Sequence, residues 1–238
     1  MKKVSDHFAL CLSAFGAALA ALALGCGAQQ TTGEPAAAPV APPPAAAQVL
    51  FDGKDLSRWD YKEEGWHIED RAIAWSKGAG FIWSKERFGD FLLELEFKVS
   101  EGANSGVFVR TDSRENWLHS GIEVQILDSW GKEAVGKHDC GAIYDCLAPS
   151  KNAVKKPGEW NDMAITCRAN KIEVVLNAEP IIDMDLDQWP EAHKNPDGSN
   201  NKFSTAYKDM AREGFIGFQD HGRAVWYRNV RVTPLGCE

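Results

Sequence analysis

After its first 25 residues this sequence has no long amphipathic helix, so strands must build whatever fold it takes; Ser204 to Ala211 has room for one short helix. It has no basic cluster. Lys and Arg number 26 against 34 Asp and Glu, a net charge of −8, which argues against nucleic acid as a partner. No Cys-x2-Cys spacing occurs, so nothing demands structural zinc. There is no Gly-rich phosphate loop between a strand and a helix, and no nucleophile elbow. The longest apolar run, Ala9 to Leu24, is 16 residues, short of the ~20 a spanning helix needs.

That run instead reads as an export signal. Lys2 and Lys3 precede it, and it ends in Leu22-Ala23-Leu24-Gly25-Cys26, a bacterial lipoprotein pattern. Residues 1–25 are the expected signal, with Cys26 as the lipidated residue and the membrane contact. Gly27 follows the cysteine rather than an Asp, which points to a cell-envelope location at an outer membrane. Residues 26–47 are rich in Ala and Pro, with Pro42-Pro43-Pro44 inside, and read as a disordered tether. Residues 48–238 then form one folded domain, large enough for a proper core.

Six cysteines occur. Cys11 leaves with the signal and Cys26 carries lipid, so Cys140, Cys146, Cys167 and Cys237 remain. In an exported chain four suggest two disulfides with three connectivities. Cys140 and Cys146 are close enough to close a small loop, leaving Cys167 for Cys237.

From Val49 onward the pattern is strand after strand. The clearest run puts Phe91, Leu93, Leu95, Phe97 and Val99 on one face, with Glu94, Glu96 and Lys98 opposite. A dozen or so short strands predict an all-β fold, a two-sheet jelly-roll sandwich. Two apolar strands near the end read as a hairpin whose turn, Gln219-Asp220-His221-Gly222, is richer in chemistry than a hairpin requires. Long loops at 110–120, 128–159 and 187–213 break the pattern.

Alternation also sorts the faces. Val107 and Val109 go to the core, leaving Asn104, Gly106, Phe108 and Arg110 on the other side. Ile122, Val124 and Ile126 point inward, so Glu123 and Gln125 face out. Gln219 and His221 share the non-core side of the last turn, with Gly217 leaving room between strands. Each residue has a plain structural role open to it: Arg110 with Glu123 as a cross-strand ion pair, His221 bonded within its turn, Asn104 as a turn former. Together they describe a polar groove able to bind a polyhydroxylated ligand and move a proton. Nine tryptophans serve core packing and, at a surface, sugar stacking.

The chain over 49–235 resembles the 3-keto-disaccharide hydrolase-like domain, a concanavalin A-like jelly roll. The matching pieces are Leu50-Phe51-Asp52-Gly53 with Leu56 and Trp59; Asn104 to Arg110; Glu123-Val124-Gln125-Ile126-Leu127-Asp128; Gly141-Ala142-Ile143-Tyr144; Trp160-Asn161; and Gly217 to Gly222 with Arg228-Asn229-Val230. Cys140 and Cys146 bracket one piece and are not part of the family pattern. The resemblance implies cleavage of glycosides already oxidised to a ketone at carbon 3. Such a ketone makes the carbon-2 proton acidic. A base removes it, an enolate forms, the glycosidic oxygen leaves from carbon 1 and water adds back. On this expectation His221 or Glu123 is the base, and Arg110 stabilises the oxyanion. Asp220 holds one His221 tautomer, while Asn104, Gln125 and Gln219 orient hydroxyls. Tyr144 is an acid or sugar contact. Beside the resemblance, Trp189 is read as a substrate contact in the 187–213 loop, which is either a lid over the ligand or an ordinary surface insertion. A divalent metal is an alternative to Arg110, with Glu123, Asp128 and His221 as ligands. The competing expectations are a surface lipoprotein that binds carbohydrate without cleaving it and a structural surface domain.

Overall fold

A computed structural model of the chain describes residues 46–236. The signal at 1–25, Cys26 and nearly all of the 26–47 tether lie outside the described residues, as does Cys237. Among the described residues are β1 (Gln48–Phe51), β2 (Trp59–Asp60), β3 (Trp66–Glu69), β4 (Ala72–Trp75), β5 (Ile82–Phe88), β6 (Phe91–Val99) and β7 (Asn104–Thr111). A four-residue helix, α1 (Trp117–Ser120), precedes β8 (Ile122–Leu127). Then come β9 (Asn161–Arg168), β10 (Lys171–Leu176), β11 (Glu179–Asp185), β12 (Gly214–Phe218) and β13 (Val225–Pro234).

The strands form two antiparallel sheets, as the alternation predicts. One runs β11-β10-β9-β6-β13-β4-β3, with β1 also on β13; the other runs β2-β5-β12-β7-β8. Strand β6 shows why they stack: Phe91, Leu93, Leu95, Phe97 and Val99 are at most 2% exposed, while Glu94 is exposed. Val107, Val109, Ile122, Val124 and Ile126 answer from the facing sheet, each fully buried. Burying a large aliphatic or aromatic side chain stabilises by about 1.5–3 kcal/mol, so this double layer dominates the fold.

Strands β12 and β13 lie in different sheets and do not pair. The segment Gln219–Gly222 is therefore a crossover between layers, not a hairpin turn. Its anchor is Asp220. That carboxylate accepts hydrogen bonds from Trp75 Nε1, from Gly80 N at 3.2 Å and from Gly222 N at 2.8 Å.

The expected disulfides are not found among the described cysteines. Cys140, Cys146 and Cys167 are buried free thiols. Cys140 packs near the Leu127 backbone and Tyr227, whereas Cys146 lies against Tyr207, so the two thiols face different neighbours despite their short spacing. Cys167 points into the core near Arg110. Burial pushes all three thiols up to about 12, where little thiolate forms at neutral pH.

Candidate functional site

The adjacent strands β12, β7 and β8 bring three polar segments together on the non-core side of the five-stranded sheet. Gly106 is the centre of this arrangement. It is paired with Gln125 on β8, and its carbonyl accepts from Gln219 N at 3.1 Å. A Cβ at Gly106 would stand 2.3 Å from Glu123 Oε1, so the carboxyl occupies the space a side chain would fill. Gly217 plays the same part beside it, with a Cβ there only 2.2 Å from the Trp83 ring. The glycine does leave room, and an aromatic ring fills it.

Above this floor is a cleft of about 120 Å³ lined by Asn104, Glu123, Gln125, Tyr144, Gln219 and His221, with Trp117, Leu118 and Lys202 completing the wall. Glu123 is 6% exposed, and among the described residues no protein group donates a hydrogen bond to its carboxyl. Loss of hydration raises its pKa to about 8, while the Lys202 ammonium opposes that rise. Gln125 is also buried; its Nε2 donates to Asn104 Oδ1 at 2.9 Å, and its Oε1 has no partner. Lys202 Nζ donates to the Tyr144 hydroxyl at 3.2 Å and lies 4.3 Å from that ring's centre. The segment around Tyr144 runs along β8: Gln125 N donates to Ala142 O, Gly141 N to Gln125 O and Tyr144 N to Glu123 O. That pairing covers the outer edge of β8 and closes the cleft on one side. His221 is exposed at the rim.

Arg110 is elsewhere. Period-two counting puts it on the groove face, but the chain breaks step there: its φ is +51°, and the β7–β12 register shifts between Phe215 and Gly217. Its fully buried guanidinium donates to Gly89 O at 3.1 Å, Ala169 O at 2.6 Å and Asp90 Oδ1 at 2.8 Å. It ties two strand connections together and offers nothing to an oxyanion in the cleft. Asp220 serves the crossover described above and does not orient His221. Trp189 is 5% exposed, its indole nitrogen bonded to Asn195 Oδ1 at 2.9 Å, so it packs inside its own loop rather than meeting a ligand. That loop nevertheless matters. Asn195 Nδ2 reaches Asp145 O at 3.1 Å and Lys202 N donates to Asp145 Oδ2 at 2.9 Å, which docks 187–213 on the Tyr144 segment and sets Lys202 at the wall.

As a metal centre the expected trio does not assemble. Asp128 accepts from Gly102 N at 2.8 Å and borders a different cleft. Among the described residues no three His, Cys, Asp or Glu side chains are grouped to hold an ion.

Three lining residues, Lys202, Trp117 and Leu118, escaped the strand pattern. Lys202 sits in a polar loop with no periodicity to mark it. Trp117 was visible as an aromatic in the 110–120 loop, but only the fold shows it in an aromatic wall, 4.7 Å from Phe81 and 5.4 Å from Phe108 between ring centres.

Comparison with known proteins gives the chain a family and a shared fold. The family model of the 3-keto-alpha-glucoside-1,2-lyase-like domain matches residues 46–233. A 3-keto-disaccharide hydrolase of Bacteroides thetaiotaomicron is 29% identical over 228 residues, covering 79% of this chain and 78% of that one. A crystal structure from Parabacteroides distasonis, provisionally described as a glycosyl hydrolase, is 36% identical and covers 80% of this chain and all of its own, with a TM-score of 0.73. A Bacillus subtilis protein with a galectin-like fold superposes at a TM-score of 0.51 and 14% identity, covering 79% of this chain and 94% of its own, a likeness of fold alone.

Proposed function

The chain belongs to the 3-keto-alpha-glucoside-1,2-lyase-like domain family, and from that premise we propose that it cleaves glycosidic bonds of sugars carrying a ketone at carbon 3. The carrying observation is Glu123: a buried carboxyl in a polar cleft, unbonded to protein among the described residues and raised to about 8. A carboxylate with that pKa is a stronger base than an exposed one, and roughly a tenth of it is ionised at pH 7.

Glu123 takes the carbon-2 proton. The C–H electron pair forms the enolate, whose oxygen is stabilised by the Lys202 ammonium in place of the expected Arg110. The enolate collapses, the ketone returns, a double bond joins carbons 1 and 2, and the glycosidic oxygen leaves with a proton from His221 at the rim. Water then adds its oxygen to carbon 1 and a proton to carbon 2, completing a net hydrolysis. Gln125 Oε1 accepts from a ring hydroxyl, the Gln219 and Asn104 amides accept from or donate to others, and Trp117 offers a face to the sugar's C–H groups. The cleft takes the reacting edge of one ring, so the departing group lies across its mouth. Export and lipid anchoring through Cys26 at the cell envelope complete the proposal.

The test compares 3-keto-trehalose, or a 3-keto-glucoside, with its unoxidised parent, using wild type and Glu123→Gln. Turnover of the ketone alone, reduced on the order of 100-fold or more in the variant with binding retained, supports the reading. Binding of the ketosugar without turnover in the wild type would leave a carbohydrate-binding module instead.

A further inference from the structure

A larger cleft lies apart from the one around Glu123 and shares no lining residue with it. Its volume is about 660 Å³, and Trp130, Trp226, Lys98, Glu101, Asp128 and Lys156 line it. Trp130 is 55% exposed, the most exposed of the large hydrophobic side chains among the described residues. A single exposed indole is ordinary at a protein surface; what sets this one apart is that it lines a cleft together with a second indole, Trp226.

The surrounding groups are fixed rather than loose. Trp226 Nε1 donates to Glu69 Oε2 at 2.7 Å, and the Lys98 ammonium sits 4.4 Å from the Trp226 ring centre and 5.0 Å from that of Trp160. Asp128 is held through Gly102 N. The cleft therefore presents indole surface beside anchored donors and acceptors. Its two lysines balance its two acids, so its charge selects neither anions nor cations.

A peptide adding as a strand finds no ladder here. Strand β6, which carries Lys98, lies between β9 and β13 and is paired on both sides. The next residue beyond it is also used, since Ser100 N donates to Ala224 O at 3.0 Å. What fits indole surface, neutral charge and a mixed set of donors and acceptors is a neutral polyhydroxylated chain.

We propose that this cleft is a second, non-catalytic binding site for a neutral, unoxidised glycan chain, with Trp130 as its stacking platform. The site does not depend on Glu123 or on the oxidation state of the substrate. It holds the protein on a polymer while the cleft at Glu123 acts on oxidised glycosides.

The test uses maltohexaose, cellohexaose and laminarihexaose as probes, neutral glucose hexamers that differ in linkage. Titration calorimetry and tryptophan fluorescence follow binding to the wild type, Trp130→Ala and Glu123→Gln. Trp130 is exposed, so its replacement leaves the core intact. The expected result is saturable binding of at least one hexamer, weakened about tenfold or more in Trp130→Ala, which corresponds to about 1.4 kcal/mol. Glu123→Gln binds it unchanged, and Trp130→Ala keeps wild-type turnover of a small 3-keto-glucoside. Absence of binding by all three hexamers overturns the proposal, as does binding that survives Trp130→Ala or is lost in Glu123→Gln. Loss of 3-keto-glucoside turnover in Trp130→Ala where the wild type has it also overturns the proposal, whereas hexamer binding is read without turnover, so the two readings fail separately.

Discussion

Replacing Glu123 by Gln should change how stability depends on pH, whatever the protein's substrate. The Glu123 carboxyl is at about 8 in the fold against an ordinary value of 4.5. Between these two values the unfolded chain has released the proton and the folded chain still holds it. The unfolded state binds fewer protons there, so stability falls as pH rises through the window and the loss is complete above pH 8. At about 1.4 kcal/mol per pH unit, the cost reaches about 5 kcal/mol at pH 9 and roughly 3 kcal/mol at pH 7. Against a total stability of about 5–15 kcal/mol, this is large. Glutamine has nearly the same shape and no charge, so the variant keeps the packing and lacks the penalty. Urea unfolding of both proteins at pH 4, 7 and 9 gives the answer, and the difference between them removes the contribution of groups common to both. The curves should nearly coincide at pH 4 and separate in favour of Glu123→Gln as pH rises. Parallel pH profiles, or a wild type that gains on the variant above pH 7, would show that Glu123 is not desolvated and would remove the basis for its role.

Two further outcomes follow from the same geometry. Arg110→Met removes a fully buried cation and leaves Gly89 O and Ala169 O without their donor; Asp90, partly exposed and still bonded to Ala169 N, limits the damage. Stability should drop by about 3 kcal/mol in urea unfolding while turnover per folded molecule stays at the wild-type level, against the oxyanion role that alternation suggests. Gly106→Ala places a methyl group where Glu123 Oε1 now lies, at 2.3 Å, and displaces the carboxyl. Its kcat/KM should fall on the order of 100-fold with no change in the substrate's oxidation requirement.

The two sheets could be read from the sequence because each core strand keeps a strict period of two, as in Phe91 to Val99. The same rule placed Asn104, Glu123, Gln125 and Gln219 on one side, and the cleft brings them together with Tyr144 and His221. It failed at Arg110, where one residue at positive φ and a register shift reverse the direction of the side chain. No sequence pattern marks such a bulge, since arginine is not a residue that advertises positive φ. Asp220 and Trp189 have the composition of site residues but hold the crossover and the 187–213 loop together. Lys202 shows the converse: a residue without local pattern reaches the cleft because Asn195 and Asp145 dock its loop. Counting cysteines fails for a related reason. Parity says nothing about direction, and Cys140 and Cys146 point to different neighbours.

Elimination and re-addition leave a mark that ordinary glycoside hydrolysis does not. The most direct measurement runs the reaction of a 3-keto-glucoside in deuterium oxide and reads carbon 2 of the released ketosugar by NMR or mass spectrometry, with an enzyme-free sample correcting for spontaneous exchange. Proton abstraction by Glu123 followed by addition of water predicts one deuterium at carbon 2 in the released sugar, formed at the rate of bond cleavage and lost in Glu123→Gln. Cleavage that leaves the original hydrogen at carbon 2 would contradict the account.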